Sequence, residues 1–211
     1  MVKQERAART RETLMQAAAE FFDRDGYGLT TLSRVSKAAG ISVGALTFHF
    51  PAKDDLADAI QVRGGTITQE ALDRVDTEPG RPLRTLVGIT LELARLMEKE
   101  AIVRAAARLT RERRSVSADW QAAWLPTVDR LLASAAEQDL REGIDPKAVR
   151  ALVVHLITGA EAQIRCNANG ARDRGESAEA QLTNIWRVVL RGVADDARAG
   201  ERGQGEGKLV S

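Results

Sequence analysis

The chain has 211 residues, 44% hydrophobic and 29% charged, with a formal net charge of +1. That is the profile of a globular protein with one or two cored domains. The single cysteine, Cys166, excludes an intrachain disulfide, and no apolar run approaches the ~18 residues a membrane span needs. No signal-peptide pattern opens the chain, so a soluble cytoplasmic protein is the expectation.

Leu14, Ala17, Ala18, Phe21 and Phe22 recur at helical spacing and predict a first helix from about Glu5 to Asp25, broken by Gly26-Tyr27-Gly28. Thr30 or Thr31 caps a short second helix, with Leu32, Val35 and Ala39 on its buried face. Gly40 ends it in the left-handed conformation of a tight helix–helix turn. Ile41 plugs the turn, Ser42 caps a third helix with Leu46 inward, and Pro51 stops that helix. A fourth helix spans Lys53–Asp73, with Leu56, Ile60 and Ile67 inward.

A break at Thr77–Pro82 separates this region from longer segments: Leu83–Lys99, Ile102–Arg113, Ala118–Arg141, Pro146–Ala168 and Ser177–Ala197. Asp145 and Pro146 are the cap and first position of a helix. Residues 170–176 read as a loop, and the Gly-rich residues 199–211 as a disordered tail. No strand alternation and no repeat is evident. The expectation is an all-α protein of about nine helices, in an N-terminal part of residues 1–56 and a larger helical part of residues 57–198.

Charge is distributed unevenly. Residues 1–53 hold eight Lys/Arg against five Asp/Glu, and the remainder 23 against 25. This places a weakly positive patch at the N-terminal end, where it would face phosphates.

Two short helices meeting at a glycine, with a buried aliphatic in the turn, form helix-turn-helix geometry. An ordinary helical corner has the same outline. The residues themselves go further. Gly40, Ile41, Ser42, Gly44, Leu46, His49, Phe50, Lys53 and Leu56 resemble the DNA-binding signature of TetR-family transcriptional repressors. KQERAARTRETL (3–14), FDRDGYGLTTLS (22–33) and GALTFHF (44–50) are similar to the γ-butyrolactone autoregulator receptors and their pseudo-receptor relatives. The resemblance departs at Val43, where those receptors usually carry lysine, and at Thr47, where they carry tyrosine. A lost phosphate contact weakens binding at all sequences alike and lowers its salt dependence.

The resemblance implies roles by matched position. Thr31 and Lys53 contact phosphates, Lys53 at a helix N-terminus. Ser33 and Arg34 reach the groove edge. Ser42, Val43, Gly44, Ala45 and Thr47 face the major groove. His49 donates to a phosphate or stabilises the turn. Phe48 and Phe50 are groove contacts or, for Phe50, core. In the C-terminal region, Trp120 and Trp124, read as one helical turn apart, wall a pocket with Leu86, Ile89 and Leu93. The basic run Arg104–Arg114 reads as a solvated face, from which Arg104 could meet a polar ligand group. Leu152, His155, Ile185, Trp186 and Val189 lie in two apolar helices suited to a dimer bundle.

The implied partners are a double-stranded DNA operator, a second copy of the chain and a small-molecule effector. The effector is an antibiotic or intermediate, as for a pseudo-receptor, or else a γ-butyrolactone or butenolide. The segment RLTRERRSVSADW (108–120) lacks the prolines usual in true receptors, which favours the former. A helical interaction module without DNA binding is the rival from another class. An enzyme is not expected: His49, His155 and Cys166 are far apart in sequence and form no nucleophile or metal pattern. No cofactor and no metal is implied.

Overall fold

The computed structural model describes residues 2–75, 80–113, 119–168 and 176–195. The expected loop at 170–176 and tail at 199–211 lie almost wholly outside them. The described residues form α1 (Val2–Leu29), α2 (Leu32–Ala38), α3 (Val43–His49), α4 (Lys53–Leu72), α5 (Pro82–Lys99), α6 (Ala101–Glu112), α7 (Leu125–Gln138), α8 (Pro146–Ala168) and α9 (Ala178–Val193), with a short 3₁₀ turn at Trp120–Ala123. Among the described residues there is no strand, only an isolated bridge between Leu140 and Ala194. The all-α expectation holds.

Two boundaries differ from the sequence reading, each for a local reason. Gly26 does not end α1 but kinks it: its φ of 81° and ψ of 176° are open to glycine alone, and helix resumes for one more turn to Leu29. Thr30 closes that turn by donating its hydroxyl to the Gly26 carbonyl at 2.7 Å. The expected helix Ala118–Arg141 is divided. Trp120 opens the 3₁₀ turn, and Trp124, at φ −130° and ψ −28°, is the non-helical residue before α7. Pro126 sits in the first turn of α7, where its missing N–H costs nothing, and from there it resists continuation toward the N-terminus. Trp120 and Trp124 therefore do not share a helix face.

The described residues form two compact units, one drawn from residues 2–69 and 97–123, the other from residues 70–96 and 124–195. In the first unit α4 and α6 pack with the first three helices. The first unit is built on Leu14, Ala18, Phe22, Val35, Leu46, Phe50, Leu56, Ile60, Ile102, Ala105 and Leu109, all buried. Each large side chain among them contributes about 1.5–3 kcal/mol on burial. Gly64 lets α4 and α6 come close, since a Cβ there would lie 2.6 Å from that of Ala106.

The second unit is centred on Leu83, Leu86, Ile89 and Leu93 of α5, Leu132 of α7, Val153 and Ile157 of α8, and Leu182 and Trp186 of α9. Asp145 caps α8 by accepting from Lys147 N–H at 2.9 Å, and Ser177 caps α9 by accepting from Ala180 N–H at 3.1 Å. The buried Asp139 carboxylate accepts from Leu83 N–H at 3.1 Å, satisfying a free donor at the start of α5. Burial pushes this carboxyl above its ordinary value, against the opposing hydrogen bond from Leu83.

Candidate nucleic-acid interface and effector residues

The turn between α2 and α3 is closed by main-chain bonds. Gly40, at φ 69°, donates to the Lys37 carbonyl at 3.2 Å, and Ile41 donates to the Ser36 carbonyl at 3.0 Å. That pair of bonds is a Schellman closure, and its left-handed residue is why a glycine stands here. Thr31, and not Thr30, caps α2 by accepting from Arg34 N–H at 3.3 Å. Ser42 caps α3 by accepting from Ala45 N–H at 3.1 Å. These two caps fix the direction of both helices without using a groove-facing side chain.

In α3 Leu46 is the one buried residue, and it holds the helix to the core. Ser42, Val43, Gly44 and Ala45 are exposed, Thr47 and His49 half-buried. Phe48 is 83% exposed and meets the edge of His49, with ring centroids 5.4 Å apart. An apolar ring held that far into solvent has no role in the fold of its own unit. Phe50, by contrast, is buried and belongs to the core, with the Arg11 guanidinium 4.3 Å over its ring. Thr47 donates its hydroxyl proton to the Gly44 carbonyl at 3.1 Å but keeps its methyl and lone pairs.

The flanking residues are tethered. Arg34 binds the Asp25 carboxylate at 2.6 Å and the Leu29 carbonyl at 2.9 Å, and lies over the Phe21 ring. Lys53 donates to the Tyr27 carbonyl at 3.0 Å and sits 4.0 Å over the Tyr27 ring. Both carry their charge on α1 rather than swinging freely in solvent. Ser33 and Thr31 are exposed.

The basic run on α6 is the largest departure from the sequence reading. Arg104 donates to Asp23 at 2.6 Å and to the Met97 carbonyl at 2.9 Å. Arg108 reaches the Asp23 carbonyl and Glu112, both at 2.5 Å. Glu112 in turn accepts from Tyr27 N–H at 2.6 Å, just past the Gly26 kink. Arg113 pairs with Asp54 at 2.9 Å and Asp58 at 2.8 Å. The Tyr27 hydroxyl also donates to Asp54 at 2.7 Å and, ahead of Arg113, holds that carboxyl below its ordinary value. Arg104, Arg108 and Arg113 are therefore not solvated but fasten α6 to the α1 kink and to the start of α4, whereas Arg111 is exposed and Arg114 lies outside the described residues. Arg104 has its guanidinium committed there. Sequence could not show it, because the partners lie 81 and 85 residues away in the chain.

The other effector residues fall in two places. Trp120, in the first unit, is buried; its indole donates to Thr68 at 2.9 Å and its main-chain N–H to Thr110 at 3.0 Å. Trp124, Leu86, Ile89 and Leu93 are buried in the second unit. Of the expected dimer residues, Leu152 and Val189 are half-buried, His155 is exposed and Ile185 is 39% exposed. Trp186 points inward instead: it is 1% exposed and donates to Thr90 at 2.7 Å. An indole in that position anchors α9 to α5 and offers no surface to a second chain. The aliphatic that α9 turns outward beside it is Val188, 70% exposed, which the sequence reading missed.

Residues 14–60 match the family of bacterial regulatory proteins known as the tetR family. Over 198 residues the chain is 30% identical to the A-factor receptor protein of Streptomyces griseus, spanning 92% of this chain and 67% of that one. Among solved structures it is similar to CprB of Streptomyces coelicolor in complex with its biological operator sequence, with a TM-score of 0.71, 29% identity, and 93% and 94% of the two chains covered. A gamma-butyrolactone receptor described as ArpA-like is similar at a TM-score of 0.70 and 28% identity over 93% of each chain.

Proposed function

We propose that this chain, which belongs to the TetR family of bacterial regulatory proteins, is a transcriptional repressor that binds a pseudo-palindromic operator as a homodimer and is released by a small molecule. The observation that carries the reading is α3, which buries Leu46 alone and turns Val43, Gly44, Ala45 and Phe48 outward on a capped frame. A helix so placed has small residues for close approach to a groove floor and one ring for stacking or methyl contact. Thr31, Ser33, Arg34, Ser42, Thr47, His49 and Lys53 complete the DNA-facing set. Residues 1–56 are the DNA-binding segment and residues 57–198 the sensing and dimerising one.

The dimer face is the outer side of α8 and α9, with Leu152, His155, Ile185, Val188 and Val189. The exposed aliphatics Ile185 and Val188 of α9, with the half-buried Leu152 of α8, support it, because a two-fold axis would bury them against their own copies. Two recognition helices then read half-sites about 34–36 Å apart. A ligand releases the operator only if it binds the released conformation more tightly than the DNA-bound one. Trp120, Trp124, Leu86, Ile89 and Leu93 are the effector residues of this reading.

The effector is an antibiotic or its intermediate, and the regulated genes are those of secondary metabolism. A γ-butyrolactone or butenolide is the second reading, favoured by the likeness to a gamma-butyrolactone receptor. Like its regulatory relatives the chain acts by binding and not by catalysis, at cytoplasmic DNA; no helix among the described residues is long and apolar enough to cross a membrane.

A gel shift with the promoter of its own gene, at low salt, tests the core of the reading. A specific shift is expected; no shift sinks it and leaves an interaction module. Adding each ligand class to the shifted complex separates the two effectors. Trp120→Ala is expected to abolish release while leaving the shift intact.

A further inference from the structure

We propose that the elbow between α1 and α2 is a separate contact with the DNA backbone, in which Arg24 and Arg34 hold one phosphodiester and Leu29 packs on the deoxyribose beside it. Of these residues only Arg34 belongs to the DNA-facing set of the repressor reading, and the site moves it from the groove edge to the backbone. That the partner is duplex DNA rests on that reading; the geometry of the elbow does not.

The two guanidiniums are held as a pair. Arg24 lies 4.9 Å and Arg34 4.8 Å from the centre of the Phe21 ring. The Asp25 carboxylate joins them, accepting from Arg24 Nε at 2.9 Å, from Arg24 Nη2 at 3.1 Å and from Arg34 Nη2 at 2.6 Å. Arg34 Nη1 donates to the Leu29 carbonyl at 2.9 Å. A guanidinium carries five N–H donors, and these bonds leave Arg24 Nη1 and Arg34 Nε unused. The Arg24 and Arg34 side chains are 54% and 44% exposed, that of Asp25 only 17%. One shielded carboxylate thus stands against two open guanidiniums. One turn away on either side, the exposed Glu20 and Lys37 add one charge of each sign, so the cluster stays positive. An arginine already stacked and bonded loses little freedom when a phosphate arrives.

Leu29 narrows the partner. A leucine exposed by itself on a surface needs no explanation. Leu29, the last residue of α1 and 71% exposed, is tied through its carbonyl to the arginine pair. An apolar side chain and two cations are therefore presented together on a fixed stretch of backbone. A free phosphate would satisfy the arginines and leave Leu29 bare. A nucleic-acid backbone alternates an anion with a hydrocarbon sugar edge and satisfies both, and contacts of that kind position a duplex without reading its sequence. Thr31 and Ser33, exposed at the start of α2, continue the DNA-facing set from Leu29 onward.

The test uses the full chain with a fluorescent duplex from its own promoter and a scrambled duplex of equal length, titrated over a range of KCl, together with ethylation interference on the promoter duplex. Arg24→Gln is expected to weaken binding to both duplexes by the same factor, about three- to tenfold, and to lower the salt slope by about one. It is also expected to erase interference at one phosphate per half-site. Leu29→Ala is expected to weaken both duplexes about threefold with the slope unchanged, and Leu29→Lys to steepen the slope by about one. Melting temperatures are expected to match the parent, since both side chains are exposed. An interference pattern and salt slope that Arg24→Gln leaves unaltered overturn the proposal. So does a Leu29→Ala protein that binds like the parent, or a loss confined to the promoter duplex, which would make these base contacts. A parent that shifts neither duplex sinks the repressor reading itself; a parent that binds while the variants match it sinks the elbow alone.

Discussion

The two units solve opposite problems with the same kind of helix. The first is laced by long-range polar contacts: Arg104 to Asp23, Glu112 to Tyr27, Arg113 to Asp54 and Asp58. The second relies more on apolar packing and single buried bonds, Trp186 to Thr90 and Leu83 to Asp139, with Arg150 of α8 paired to Asp129 of α7 at 2.6 Å. A surface that must match a rigid duplex gains from over-determination, since every loose degree of freedom adds an ordering cost on binding.

The sharpest way to break this contrast is Trp186→Ala. If the second unit rests on that indole, the substitution costs about 3–5 kcal/mol in urea unfolding, with the loss independent of protein concentration. A loss that vanishes on dilution would return Trp186 to the dimer face. Next is Gly26→Ala in the first unit. A φ of 81° is strained for alanine, and its Cβ would lie 2.5 Å from the Arg108 guanidinium and 2.7 Å from the Glu112 carboxylate. The expected cost is about 1–3 kcal/mol, with weaker operator binding, because the kink sets the course of the chain into α2. Unchanged stability would show that the polar lacing does not govern the kink.

Val43→Lys with Thr47→Tyr acts on α3 alone. One added phosphate contact is expected to tighten binding about tenfold at low salt and to steepen the salt dependence by about one ion. An unaltered salt slope would mean that Val43 does not face DNA. Ser42→Ala removes the α3 cap and is expected to cost about 1 kcal/mol in thermal unfolding.

The smallest effect concerns pH. The Asp139 carboxyl is raised above its ordinary 3.8 by burial. A raised folded-state value means that the group's stability contribution is fully present below the ordinary value and is lost as pH rises through the raised one. Asp139→Asn is therefore expected to flatten the decline of stability with rising pH above about 4, compared pairwise with the parent by urea titration. Parallel profiles would mean that Asp139 does not set that slope.

The helix-turn-helix was legible because its determinants are local. Gly40 must take a left-handed φ, Ser42 must cap, and Leu46 must face inward, and each depends on residues within one turn of it. The same locality marks the start of α8 at Asp145 and Pro146. Trp120 and Trp124 misled because spacing of four residues is helical only if the helix is continuous, and Pro126 begins a new one. The α6 arginines misled because a charge on a helix reads as solvated until its partner is seen. Asp23 and Tyr27 reach them only through the packing of α1 on α6, and Trp186 turns inward only through the packing of α9 on α5.

The sequence by itself determined the helical class, the turn between α2 and α3, the caps and the residues turned outward on α3, since these depend on backbone geometry over a few positions. Only the tertiary structure decided which arginines are committed to ion pairs and that Trp186 turns inward rather than toward a second chain. Those depend on distances between residues far apart in the chain, where packing sets whether a polar group finds a partner.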